Sequence, residues 1–335
     1  MNARLMNLVT FASVVFAVMW TIAYPLLTVY SAVDLEIFMN AASGADMTGY
    51  FYAPWGLHLY HLLLPLPYEA IHIAVGLITI VGVLLACKAF GGSIPVMMTS
   101  YALTFSLYYG QPDGIWAIGL ATMYWGVKRK STPLAVIGWL IAMPKYYIGL
   151  PLGVGILWCF ADFRQARQII TFTLLGLIAS LFIYGPWPLG ILERWSQVPP
   201  SDLYAIDTWQ YIGPVGLILW LPIFLTRNRS FSGFAAAWAL SVPYLQVHGL
   251  LYVLMASGPI GLLAHVGYLT GYGKHLIVLQ IFSLAVYIMA FRPWWQQRQV
   301  GRKLNTETTP SGADNEASML HNASQNGDRL HLLAP

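Results

Sequence analysis

The chain has 335 residues, of which 58% are hydrophobic and only 9% are charged, with a formal net charge of +4. Ordinary soluble chains are about 25% charged, so the composition excludes a soluble enzyme, a disordered chain and a nucleic-acid-binding protein. What remains is an all-α polytopic membrane protein.

Leu8 to Tyr30 is the first apolar run long enough to cross a bilayer. It exceeds the core of a signal peptide, and Tyr30-Ser31-Ala32 is a poor cleavage site, so it reads as a span. The first outer loop, Ser31 to Trp55, follows. In it Val33 to Ala42 places Leu35, Phe38, Met39 and Ala42 on one helical face. That predicts a helix lying on the membrane, with Asp34 and Glu36 at the exit of the first span. The plainer alternative is an interfacial helix whose acids only face water. Tyr50-Phe51-Tyr52-Ala53-Pro54-Trp55 comes next and can be accounted for by an interfacial aromatic belt alone. Leu57 to Leu66 is too short to span, and Pro65 and Pro67 stop it, so it reads as a re-entrant or surface piece. The spacing of His58, His61 and His72 matches no standard ligand pattern, and neither a metal nor a cofactor is expected.

Pro67 to Ala89, Ile94 to Tyr109 and Ile115 to Val127 are further apolar runs. Tyr108 to Gly114 makes a polar turn between the last two. Glycine and proline suit any such turn; Gln111 and Asp113 are the excess, able to hydrogen-bond sugar hydroxyls or another loop. Thr132 to Phe160 is interrupted at Pro144-Lys145. The arm Pro133 to Met143 rises only ~16 Å, about half of the ~30 Å hydrocarbon thickness. Lys145 is therefore expected to face a cavity, where an ammonium suits a phosphate or pyrophosphate. Snorkelling to the headgroups is the plain alternative. Ile169 to Tyr184, Ile212 to Leu225, Phe231 to Leu245, Leu250 to Leu269 and Leu276 to Phe291 complete the apolar runs. Gln246 and His248, at the outer end of one, can both bond a hydroxyl; His248 can equally be an interfacial histidine without a role. Cys87 and Cys159 lie inside apolar runs and form neither a disulfide framework nor a metal site. Residues 1–303 are thus a membrane domain, and residues 304–335 a disordered polar tail.

With Arg4 in the cytoplasm, Lys88, Lys128 to Lys130, Arg164, Arg167, Arg227 and Arg229 all thread to that side. This requires Thr132 to Phe160 to be a hairpin of two short helices. Lys145 and Arg194 thread outside, with Asp34, Glu36, Asp46, Glu69, Asp113, Glu193, Asp202 and Asp207. The C-terminal basic residues, from Arg292 to Lys303, break the rule unless a half-span lies near Ser257-Gly258-Pro259.

An acid after the first span, a tyrosine-proline element, a Gly110-Gln111 turn and a Pro144-Lys145 hairpin occur here in order. The set resembles the GT-C superfamily of integral-membrane glycosyltransferases, most closely family 87, the polyprenol-phosphate-mannose-dependent mannosyltransferases. It covers Leu8 to about Leu269. The resemblance implies a GT-C-like bundle of about 10–11 transmembrane helices, with interfacial helices in the first outer loop. It implies a polyprenyl-phosphate sugar donor carrying mannose or another hexose, a lipid or glycan acceptor, and an active site on the extracytoplasmic side of the cell membrane. It also implies Asp34 as catalytic base, with Lys145 on the donor phosphate and Gln111 matching the glutamine of the turn. Glu36, Tyr52, Asp113 and His248 are the other expected substrate contacts. Two motifs depart from the family: Tyr52-Ala53-Pro54 stands for tyrosine-proline-proline, and Pro144-Lys145 reverses the usual order.

The residues fit that chemistry independently. Transfer to a hydroxyl needs a base within reach, which Asp34 or Glu36 supplies. A leaving phosphate is stabilised by a preplaced cation. One base opposite one leaving group favours inversion. A transporter or flippase of lipid-linked sugars is the competing expectation, since broken helices and an intramembrane lysine suit it too.

Overall fold

The computed structural model describes residues 3–28, 32–47, 49–197, 206, 208–227, 229–243, 245–266, 268 and 279–292. The expected polar tail, Asp202, Asp207 and Lys303 lie outside them. The chain divides into two units, Met1–Ala290 and Phe291–Pro335, and nearly all of the second lies outside the described residues.

The first unit is helical. In chain order it contains α1 (Ala3–Leu27), α2 (Val33–Ser43), α3 (His58–Leu63), α4 (Tyr68–Phe90), α5 (Ile94–Met98), α6 (Tyr101–Tyr109), α7 (Asp113–Lys128), α8 (Thr132–Ala142), α9 (Tyr146–Phe160), α10 (Phe163–Tyr184) and α11 (Trp187–Gln197). Shorter pieces follow: α12 (Trp209–Ile212), α13 (Trp220–Leu225), α14 (Phe231–Ser241), α15 (Leu251–Leu254) and the helix Gln280–Ala290.

Among the described residues three helices, α1, α4 and α10, are long and apolar enough to cross a membrane, and five more apolar segments are shorter. Several of the apolar runs expected among about 10–11 transmembrane helices are broken into shorter helices by glycine, proline and serine. Ile94 to Tyr109 splits at Thr99-Ser100, where the Ser100 hydroxyl caps α6 by accepting from the Leu103 amide. Leu250 to Leu269 splits at Gly258-Pro259, with Gly258 at φ +57° ahead of a 3₁₀ segment. Ile212 to Leu225 begins as a 3₁₀ turn, with Pro214 at its start.

Small residues set the packing. α7 and α8 run antiparallel in close contact, Gly119 against Ala142, Gly138 against Met123 and Gly126 against Ala135. Backbones that approach so closely rely on dispersion, as membrane helices do. α9 returns beside α8, Gly149 against Ala142 and Gly153 against Trp139, so Thr132 to Phe160 is a helical hairpin turning at 143–145. Pro144 cannot continue α8, and a tryptophan closes the turn: Trp139 Nε1 donates to the Gly149 carbonyl at 2.9 Å. α1 and α10 present most of their apolar side chains outward, as lipid-facing helices do.

The hairpin and its neighbours sort the charges by end. Phe90 stacks on Phe231 at 4.3 Å and meets Tyr124 at 5.2 Å. Tyr124 meets Phe160 at 5.0 Å, and the Lys128 ammonium stands 4.8 Å from the Phe160 ring. Lys130 bonds Asp162 at 2.6 Å. Lys88, Lys128 to Lys130, Arg164 and Arg229 thus gather at one end of the bundle. The helix Gln280–Ala290 reaches that end too: Ala290 packs on Gly233, in the first turn of α14. Asp34, Asp113 and Lys145 lie at the other end of α7 and α9.

That other end is sunk. α7 runs parallel to α4, with Gly114 against Thr79 and Gly82. Thr79 is eleven residues past the start of α4, so α7 begins ~16 Å below the level of Tyr68. The room above is taken by the first loop. α2 does not lie on a lipid surface: Leu35, Phe38, Ala41 and Ala42 are buried in a cluster with Tyr50, Tyr52, Tyr60, Ile71 and Val75. Phe38 stacks on Tyr52 at 5.0 Å and on Tyr60 at 4.8 Å. Tyr50 and Tyr52 are likewise core residues rather than an interfacial belt, because α2 covers them.

Candidate functional site

The site forms where the loop meets the sunk helix starts. The Ala53 amide donates to the Pro144 carbonyl at 3.0 Å, and Trp55 Nε1 donates to the Leu140 carbonyl at 3.0 Å. These bonds dock the tyrosine-proline element on the hairpin turn. Gly110 ends α6 at φ +66°, and a Cβ there would lie 2.7 Å from the Leu35 Cβ. Only glycine lets α2 sit on this turn. The Gln111 amide then bonds the Ser106 carbonyl at 2.9 Å, and the Thr79 hydroxyl donates to the Gln111 carbonyl at 3.2 Å.

At the centre is a buried ion pair. Lys145 Nζ donates to Asp113 Oδ1 at 2.8 Å, and both side chains are 0% exposed. Ser106 Oγ donates to Asp113 Oδ2 at 2.9 Å, and Tyr252 Oη donates to Oδ1 at 3.1 Å. Both carboxylate oxygens are thus engaged, and Asp113 opens α7, where a helix start favours negative charge. The ammonium faces the rings of Tyr52 and Tyr147, each with its centroid 5.8 Å away. Lys145 therefore does not face lipid, as the short arm predicted, but neither is it an open cation. Asp113 already holds its charge.

Asp34 adjoins this pair from above. It sits in the first turn of α2; the residue is partly exposed, but its carboxyl is largely buried. Burial pushes its carboxyl up to about 6; a hydrogen bond from the Gln111 side chain and the nearby Lys145 charge oppose the shift, and Asp113 adds to it. Glu36, two residues on and ~200° round the helix, is exposed and does not act on this group. The structure thus brings Asp34, Tyr52, Gln111, Asp113, Lys145 and His248 together and leaves Glu36 outside.

Several polar atoms here are buried without a partner among the described residues: Tyr60 Oη, Gln111 Oε1, Trp116 Nε1 and His248 Nδ1. His248 is 1% exposed, close enough to act electrostatically on Lys145 and Asp113, so it is a core residue and not an interfacial histidine. Buried polar groups are ordinarily bonded, so these four atoms are exceptions within the same loop and helix starts.

No family model matches the chain, and no curated protein or solved structure matches it either.

Sequence reasoning did not find Tyr60, Ser106, Trp116 or Tyr252. Ser106 lies seven residues before Asp113, across the turn, and reads as an ordinary span residue. Tyr252 comes from 139 positions downstream. The one available signal was for Tyr60, a tyrosine in a stretch too short to span. His58 and His72 go elsewhere: His58 Nε2 pairs with Tyr184 Oη at 2.6 Å, and His72 Nε2 with the Leu107 carbonyl at 2.8 Å.

Proposed function

We propose that the protein is a membrane glycosyltransferase that moves a sugar from a polyprenyl-phosphate donor to the hydroxyl of a lipid or glycan acceptor, with Asp34 as base. The observation that carries this reading is the state of Asp34. A buried carboxyl with a value near 6, in a residue that keeps part of its surface open, is matched to proton abstraction close to neutral pH. It stands beside buried, unpartnered donors and acceptors of the kind that bind sugar hydroxyls.

In this mechanism Asp34 takes the proton of the acceptor hydroxyl. The acceptor oxygen attacks the anomeric carbon, the bond from that carbon to the phosphate oxygen breaks, and the phosphate leaves with the electron pair. One displacement inverts the anomeric centre and calls for no second carboxylate as nucleophile. That role is closed to Asp113, whose oxygens accept from Lys145, Ser106 and Tyr252. Lys145 acts through its field, favouring the ionised form of Asp34.

The acid-bearing end of the bundle is read as the extracytoplasmic side, because the lysines and arginines gather at the opposite end. The test is release of polyprenyl phosphate from a polyprenyl-phosphate mannose donor by purified protein with an acceptor lipid. Transfer that Asp34→Asn lowers by about 10²–10⁴ supports the reading; unchanged transfer in that variant removes it. A flippase of lipid-linked sugars is favoured by one observation, the buried Lys145–Asp113 pair in the middle of broken helices. It predicts movement of the donor across a vesicle bilayer without release of polyprenyl phosphate.

A further inference from the structure

The charges of the central cluster make it a poor seat for a phosphate. Asp113 neutralises Lys145, and Asp34, mostly ionised at neutral pH, leaves the trio with a net negative charge. A phosphodiester pushed against Lys145 would meet two carboxylates and one ammonium already bonded to one of them, in a low-dielectric interior. A lipid-phosphate ligand therefore needs a cation elsewhere at this end of the bundle.

Arg194 meets that need. It lies in the last turn of α11, half-buried, and its Nε donates to the Tyr50 carbonyl at 2.9 Å. Tyr50 packs its ring on Tyr52 at 5.4 Å, and Tyr52 is the ring that faces Lys145. Arg194 thus caps the same aromatic wall that lines the cluster, one layer further out. The bond through Nε fixes the plane of the guanidinium and leaves its two terminal nitrogens for a second ligand; among the described residues nothing accepts from them.

The surroundings of Arg194 fit a lipid phosphate rather than a soluble one. On α11, Leu189 and Leu192 are 65% and 66% exposed while Ile191 is buried. On α10 just before it, Phe182 and Ile183 are 86% and 71% exposed. An amphipathic helix with such a face lies at a membrane boundary, its charged groups at headgroup level. Trp55, Tyr184 and Trp187 tie it to the first loop, Trp55 against Trp187 at 5.4 Å.

We infer that Arg194 is the residue that takes the phosphate of a polyprenyl-phosphate ligand, which reaches the site along the apolar face of α10 and α11. This rests on the function proposed above and assigns to Arg194 the phosphate role that was expected of Lys145.

The experiment measures binding of undecaprenyl phosphate and of undecaprenol to the purified full-length protein in detergent, by native mass spectrometry. Wild type is expected to bind the phosphate more tightly than the alcohol. Arg194→Gln is expected to weaken phosphate binding by about 10- to 100-fold and to leave undecaprenol binding unchanged. Arg194→Lys, which keeps the charge but loses the planar fork, is expected to lose less. Thermal unfolding of each variant checks that the Tyr50 contact has not been lost with the fold. Phosphate binding unchanged in a folded Arg194→Gln overturns the inference while leaving the glycosyltransferase reading in place. Equal competition by phosphatidylglycerol overturns the polyprenyl assignment. Wild type that does not prefer the phosphate to the alcohol overturns both.

Discussion

Lys145 and Asp113 form an ion pair at 2.8 Å in which neither side chain reaches solvent. A buried pair contributes little net stability, but breaking it leaves an uncompensated charge. Asp113→Asn is therefore expected to destabilise the protein by about 3–5 kcal/mol. The double variant Asp113→Leu/Lys145→Met is expected to recover most of that loss. Unfolding in mixed detergent micelles reads both. A double variant as unstable as the single one would mean that the pair is not what Asp113 holds in place.

The pH dependence of transfer follows from Asp34. A base must be ionised, so kcat/KM is expected to rise with pH along a limb centred near 6 rather than near 4. Lys145→Met removes a cation that favours ionisation, and the limb is expected to move up. A limb unchanged by that variant would separate Asp34 from the pair.

The same shift has a stability consequence of opposite sign to the usual carboxylate. The folded value lies above the ordinary carboxylate range, so the native state holds the proton more tightly than the unfolded chain. Folding stability is expected to fall as pH rises from about 4 to about 6 and then to level off. Asp34→Asn is expected to raise the unfolding temperature at pH 7 and to leave it unchanged at pH 4.

Tyr60 carries a buried hydroxyl with no partner among the described residues. Tyr60→Phe removes an orphan polar group, so stability is expected to stay level or to rise by about 1 kcal/mol. If the hydroxyl meets substrate, KM rises in the same variant. Lower stability with unchanged KM would make Tyr60 a purely structural residue.

Gly110 and Leu35 test the mount of Asp34. Gly110→Ala demands a left-handed backbone of a residue with a side chain and drives a Cβ into Leu35. It is expected to cost more than about 1 kcal/mol and to lower transfer further, because α2 must lift and carry Asp34 with it.

Sequence alone settled the membrane class, since 9% charge cannot cover a soluble surface. It also placed the Pro144 turn, through the proline in an apolar run and the need to keep Arg164 with the other basic residues, and the apolar face of α2, through the spacing of Leu35, Phe38, Met39 and Ala42, though not what that face packs on. Charge counting sorted the basic residues to a common end, because each short span reverses the chain. These features depend on local periodicity and on proline, which act within a few residues.

Other features depended on contacts across long stretches of chain, and only the tertiary structure decided them. Hydropathy cannot separate a full span from a pair of half-length helices, and among the described residues three long helices stand beside a set of short ones. Nor can it give depth: α7 starts halfway along α4 because Gly114 lets its backbone rest on Thr79 and Gly82. That offset sinks Asp113 beneath α2 and brings it Lys145 from 32 positions on and Tyr252 from 139. Lysine in an apolar run looks the same in sequence whether it meets a phosphate or a carboxylate. Its partner was fixed by the packing of distant helices, which no local pattern encodes.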